Sequence, residues 1–229
     1  MRPWKVVSLV ALGALALLLA GLVSCLIPYE WRDALALEVE TPDGLKTGRA
    51  VVSLSHTVET VIPGIPGGAV HTSLRGEAAV VEVAPGKYLF ALLTGREDLA
   101  VKAFPEVVRN RTFKQFARAF RDLREKRDLP TELIPMLVTF RDIADPKSVE
   151  HVDPNNLAAA FGPGVTLKRA TLEITDEPIT TGIEKRIGWM AWSSSKWIEF
   201  ASDGFEPMRI RNSNGTVTSI PRLEFKRGN

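Results

Sequence analysis

Ser193 and Lys196 are the residues whose spacing comes nearest to a known reaction chemistry. They belong to Ser193-Ser194-Ser195-Lys196, an S-x-x-K arrangement in which a serine at a helix N-terminus attacks an acyl group and a lysine one turn later takes its proton. Lys46-Thr47-Gly48 adds a K-T-G, the strand motif that flanks such sites in β-lactamases and penicillin-binding proteins. The order argues against the pairing. Those enzymes place the K-T-G strand after the serine, whereas here it comes far before it, beside a turn signal. Two short patterns in the wrong order are what chance supplies. A solvated serine run is expected, and no catalytic residue is assigned.

Metal chemistry has less support still. The three histidines, His56, His71 and His151, lack the paired spacing of a zinc helix, and a site needs three or four converging groups. Asp142, Asp145, Asp153, Asp176 and Glu177 could gather at loop ends, but none has the spacing of a calcium loop. Asp153 is expected to cap a helix instead. No metal and no cofactor is expected.

Two stretches could make contacts rather than break bonds. Phe113, Phe116, Phe120 and Leu123 recur at steps of three, four and three, an apolar stripe on a helix over 110–127. Its other face is basic, with Lys114, Arg118 and Arg121 among eight cations. A basic amphipathic helix can lie on an anionic membrane surface, although packing of the phenylalanines on a sheet is the reading favoured. Trp189, Trp192 and Trp197 cluster near the serine run. Trp192 and Trp197 are candidates for a partner or glycan contact, with burial the commoner fate of such rings.

The elements that position these residues begin with an anchor. Val6–Ile27 is a run of 22 residues without a charge, about 33 Å as a helix against a bilayer core of ~30 Å. Trp4 stands at one end, with Tyr29 and Trp31 at the other, as membrane interfaces favour. Arg2 and Lys5 precede the run, so the N-terminus should stay in the cytoplasm and the bulk of the chain should lie on the periplasmic or extracytoplasmic side. A single span over 1–29 competes with a lipoprotein signal ending at Cys25, since Leu22-Val23-Ser24-Cys25 resembles a lipobox, and with a simple cleaved signal. The length of the run favours the span. Cys25 is the chain's one cysteine, so the body has no disulfide. The net charge of +2 resides in Arg2 and Lys5, which leaves a neutral body with no footprint for nucleic acid.

Beyond the anchor the period changes to two. Leu35, Leu37 and Val39 alternate with polar or small residues, Pro42-Asp43-Gly44 turns the chain, and Ala50, Val52 and Leu54 return, so a hairpin is expected over 35–55. Residues 57–72 read as a loop rich in proline and glycine. Strands follow at 77–83 and 88–93, the second unbroken in apolar character and so expected to be covered on both faces. A strand is expected at 136–140, a helix between Asp153-Pro154 and Gly162, and a strand through Ala170, Leu172 and Ile174. Residues 189–200 fit helix or strand, and Asn214-Gly215 signals a hairpin turn. The expected class is α+β: a strand-rich antiparallel sheet with one principal amphipathic helix behind the N-terminal anchor. The globular domain spans 30–229, with room for a β subdomain at 33–103 and an α+β part at 104–229.

Two stretches carry a resemblance. VTFRDIADPKSVEHVDPNNLAAAFGPGVTLKRATLEITDEPITTGIEKRI (138–187) and LEVETPDGLKTGRAVVSL (37–54) resemble an uncharacterised family of bacterial membrane-anchored envelope proteins. Together they cover about a third of the chain. The family has no assigned activity, so the resemblance implies a bacterial envelope location and no mechanism. The expected function is binding or assembly support without catalysis, with an unidentified protein partner. A cell-envelope hydrolase and membrane-surface association through the basic helix are the alternatives.

Overall fold

The first sheet grows from the hairpin. In the computed structural model, which describes residues 28–58, 68–200, 208–211 and 216–228, β1 (Tyr29–Thr41) pairs with β2 (Gly44–Val58) antiparallel from Tyr29↔His56 to Thr41↔Gly44 without a register shift. The apolar run, Cys25, residues 59–67 and the Asn214-Gly215 pair lie outside the described residues; the two ends of the loop expected over 57–72 are strand instead, with Thr57 paired to His71 and Val58 to Val70. Among the described residues no helix is long and apolar enough to cross a membrane. The hairpin is longer than its apolar alternation suggested, because β1 starts at Tyr29. The Thr41 hydroxyl closes the turn by donating to the Gly44 carbonyl at 2.7 Å.

β1 also pairs along its other edge with β9 (Thr166–Thr175). With β3 (Val70–Glu77), β6 (Lys126–Asp128) and β12 (Lys226–Arg227), these form a six-stranded sheet of order β12-β3-β2-β1-β9-β6. A second sheet has the order β4-β5-β7-β8, from Ala79–Ala84, Lys87–Ala91, Leu137–Phe140 and Val149–Val152. β10 (Arg209–Arg211) and β11 (Val217–Ser219) pair by themselves. The architecture is therefore α+β and strand-rich, with antiparallel pairing and short helices. Residues 33–103 and 104–229 interleave in both large sheets, since β9 pairs with β1 and β7 with β5.

The chain crosses between sheets at Gly76-Glu77-Ala78, where β3 ends and β4 begins. Glycine is required there and once more in β2. Gly76 has φ +140°, and a Cβ would fall 2.8 Å from Val52 Cγ1. At Gly48 in β2 a Cβ would lie 2.0 Å from the Val80 carbonyl oxygen, so the backbone of β4 passes directly against β2.

Two apolar layers result. The first holds Leu35, Leu37, Val39, Val52 and Leu54 of the large sheet against Val81, Leu89 and Leu137 of the small one. Leu99, Phe104, Ala117 and Phe120 close its end. The second layer lies on the far face of the small sheet, where Phe90, Val138 and Phe140 meet Ile187, Trp189, Met208 and Phe225. Leu89 to Leu93 are all buried, as expected of a strand covered on both sides.

The helices are short: α1 (Leu99–Ala103), α2 (Pro105–Val108), α3 (Phe113–Asp122), α4 (Ala158–Phe161) and α5 (Ser194–Phe200). α3 is the amphipathic one, but it ends at Asp122 instead of reaching 127. The apolar stripe stops at Leu123, and Lys126–Asp128 pair with the open edge of β9, whose backbone would otherwise lack partners. Asp153 does not cap a helix. Its carboxylate accepts from the Asn155 amide at 2.9 Å in a local turn, and α4 begins only at Ala158 before stopping at Gly162. Residues 189–200 resolve into a 3-10 turn over Gly188–Ala191 followed by α5. Trp31 is not an interfacial ring. It is buried, stacked 4.1 Å from His56 and 5.1 Å from Phe120.

Candidate functional site

The serine pattern folds into a helix cap. Ser193 is exposed just before α5, and its Oγ accepts from the Lys196 amide at 3.3 Å. The Lys196 ammonium lies over the Trp192 ring at 4.6 Å, turned to the indole. Thr47 and Gly48 line a hollow that does not contain Ser193, so the two halves of the acyl-transfer pattern are not brought together. Trp192 and Trp197 are half-buried at the margin of the second apolar layer. Trp197 stacks on buried Trp189 at 5.6 Å, with the Arg222 guanidinium 5.2 Å above its ring. Lys114, Arg118 and Arg121 are exposed on α3, where Arg121 reaches Asp122 at 3.3 Å.

The carboxylates singled out by sequence each have a partner within the body. Asp142 accepts from the Ala144 amide and Asp145 from that of Lys147, both at 2.9 Å. Asp176 pairs with Arg124 at 3.1 Å and Glu177 with Arg49 at 2.5 Å. His71 and His151 are exposed and His56 is buried. Among the described residues no group of three or more His, Cys, Asp or Glu side chains could hold a metal ion.

Sequence reasoning missed a cleft built by residues far apart in the chain. After β9, residues 176–182 turn back along the outer edge of β2, where Thr180 and Val51 exchange two hydrogen bonds, from the Thr180 amide to the Val51 carbonyl at 3.0 Å and from the Val51 amide to Thr180 Oγ1 at 2.9 Å. The buried Glu77 carboxylate then accepts from the amides of Gly182 and Ile183 at 3.0 and 2.9 Å and faces Lys226 at 3.3 Å. Three adjoining hollows follow this segment. One of ≈170 Å³ lies between Thr47, Arg49, Thr181 and Arg186. One of ≈200 Å³ lies between Arg75, Thr180, Lys226 and Arg227. One of ≈400 Å³ lies between Met190, Arg222, Leu223 and Lys226. Glu77, Thr180 and Thr181 are shared by the first two, and Lys226 and Gly228 by the last two.

The cleft is rich in cations, and its carboxylates are already engaged. Glu184 pairs with Lys226 at 3.0 Å. A hydrogen bond from its own backbone and that ammonium hold its carboxyl below the ordinary value. Lys226 is held above its ordinary value by the hydrogen bond to Glu184, with Glu77 adding to it. Both groups are thus moved away from the neutral range where a general acid or base works best. Arg75 and Arg186 are exposed and make no ion pair among the described residues.

A second polar feature lies inside the first apolar layer. Asp33 and Arg96 form an ion pair with both side chains fully buried. Burial pushes the Asp33 carboxyl upward against the pull of Arg96. His56 is 4% exposed, and its Nδ1 lies 2.9 Å from Thr72 Oγ1. Burial lowers its pKa to about 4, against the attraction of Asp98. Asp33 Oδ2, Arg96 Nε and Nη1, His56 Nε2 and Trp31 Nε1 are buried with no hydrogen-bond partner among the described residues. Comparison with family models, curated proteins and solved structures finds no match to this chain.

Proposed function

We propose that this chain is a membrane-anchored envelope protein whose globular body binds a protein partner, without catalysis, on the periplasmic side. The uncharged run at 6–27 behind Arg2 and Lys5 supports the anchor and its orientation. The cleft along 180–186 supports binding: it offers unpaired cations, hydroxyls and backbone, and its Glu184–Lys226 pair is moved away from the range of a general acid or base. A photo-crosslinking residue at Thr181 of the full chain, in its own membranes, should yield a protein adduct that Arg75→Glu with Arg186→Glu removes. No adduct at Thr181 would count against the reading. The hydrolase alternative is tested with a fluorescent β-lactam. Labelling that disappears in Ser193→Ala would establish acyl transfer; the cap geometry of Ser193 predicts none.

One observation favours membrane-surface association as a second reading. Phe113, the first residue of α3, packs edge-on against Tyr29 at 5.9 Å, so the basic helix starts beside the second residue after the apolar run. Flotation of the body with anionic vesicles, weakened by salt and lost in Lys114→Glu with Arg118→Glu, would support it. No flotation at low salt would reject it.

A further inference from the structure

The outer edge of β2 is open where the first sheet leaves off. β3 pairs with β2 only from Ser53 to Val58, and Thr180 bonds both backbone groups of Val51. Those bonds show that Val51 turns its N–H and C=O away from β1. β2 runs beside β1 without a register shift, so the two-residue period sends the backbone groups of Arg49, Thr47 and Leu45 the same way. Among the described residues no strand pairs with β2 on this side before Ser53. The outward groups recur at ~7 Å, twice the rise of a strand residue, beside the ≈170 Å³ hollow that Thr47 and Arg49 line.

We propose that this edge receives an extended, acidic segment of a protein partner, which adds as a strand to the first sheet; the inference rests on the partner-binding reading above. Three properties point to such an occupant. Alternating donors and acceptors in one plane are the complement of an extended backbone. Thr180 already makes the first rung of that ladder with this chain's own backbone. The unpaired charges at the rim are cationic, since Arg186 lines the hollow and Lys46 stands on the edge strand, both without an ion pair among the described residues, whereas Glu77, which also lines the hollow, is engaged by Lys226 and two amides. Arg49, likewise, is engaged with Glu173 at 3.2 Å and with Glu177. An acidic side chain entering the hollow would face Arg186, while backbone bonding would be independent of sequence. The exposed Leu45 at the end of the edge, 45% accessible, offers an apolar contact to the same strand.

The test uses the full chain in detergent micelles and a ten-residue peptide of alternating valine and glutamate. A second peptide of the same sequence carries N-methyl groups on alternate amides, on whichever side is needed to block one edge. Amide exchange at Leu45, Thr47 and Arg49 should be fast in the free protein and slow at least tenfold on adding the first peptide. The N-methylated peptide should bind at least tenfold more weakly. Thr47→Pro should abolish binding while exchange at Gly48 and Ala50, which face β1, stays slow, because a proline here removes only an outward N–H. Arg186→Glu should weaken the acidic peptide tenfold and leave a lysine-for-glutamate version unweakened. Slow exchange at Thr47 and Arg49 in the free protein would overturn the proposal, as would equal affinity for the two peptides or no binding of the first. A partner adduct at Thr181 that survives Thr47→Pro would leave the binding reading standing and remove the edge from it.

Discussion

Arg96 and Asp33 set the sharpest expectations at the scale of single residues. Both side chains are wholly buried and each neutralises the other. Removing one partner leaves a buried charge uncompensated, which costs about 3–5 kcal/mol. Arg96→Met should therefore lower the unfolding free energy read from a urea melt by that amount, and Arg96→Met with Asp33→Leu should recover part of it. A double variant no more stable than the single one would show that an orphaned Asp33 charge is not what the single variant suffers from. His56 gives a pH dependence. Its folded pKa is about 4, whereas the unfolded chain takes up the proton near 6.5, so between these values the unfolded state binds more protons. Stability present above pH 6.5 should fall as pH is lowered toward 4, by up to about 3 kcal/mol. The urea midpoint at pH 4.5 and 7, compared with that of His56→Phe, isolates this loss from that of the carboxylates. Equal pH slopes in the two proteins would reject it. Asp33 was half legible in sequence. Extending the alternation of Leu35, Leu37 and Val39 back by two places it on the apolar face, but nothing local announces Arg96 as its counter-ion.

At the scale of elements, α3 carries the clearest test. Phe120 is fully buried between Trp31, Phe104 and Phe116, at centroid distances of 5.1, 6.3 and 6.2 Å. Phe120→Ala should destabilise the body by about 3–5 kcal/mol in a thermal or urea melt. Phe113→Ala should cost less, because Phe113 is half-buried at the helix start. Lys114→Glu should leave the melt unchanged, since its side chain is exposed and makes no ion pair among the described residues. Equal losses from Phe113→Ala and Phe120→Ala would contradict the packing described. The stripe of α3 was readable because its spacing of three and four is a property of the helix itself. Its C-terminal end was not. Polar residues 124–128 are compatible with either state, and the open edge of β9 decides for strand. Asp153-Pro154 misled for a related reason: an aspartate before proline suits a turn as well as a cap, and only the backbone that follows distinguishes them.

At the scale of the whole molecule, the expected outcome concerns orientation and the fate of Cys25. A periplasm-active reporter fused after Asn229 should be active, and activity of a cytoplasm-only reporter there would reverse the proposed topology. Cys25→Ser should change the intact mass by no more than the substitution itself and leave membrane retention unchanged if the run at 6–27 is an uncleaved span. A mature protein that begins at a lipidated Cys25 would replace the span with a lipoprotein anchor. Composition and periodicity were enough to determine the strand-rich α+β class, the hairpin at its start and the doubly covered strand through Leu89–Leu93, because each is written in neighbouring residues as an alternation, a turn or an unbroken apolar run. Tertiary structure alone decided that β9 lies beside β1, that Glu77 fastens Gly182 and Ile183, and that Thr180 closes one rung of β2 beyond its pairing with β3. These contacts join residues more than a hundred positions apart, and local propensity carries no information about which distant backbone will satisfy a given hydrogen bond.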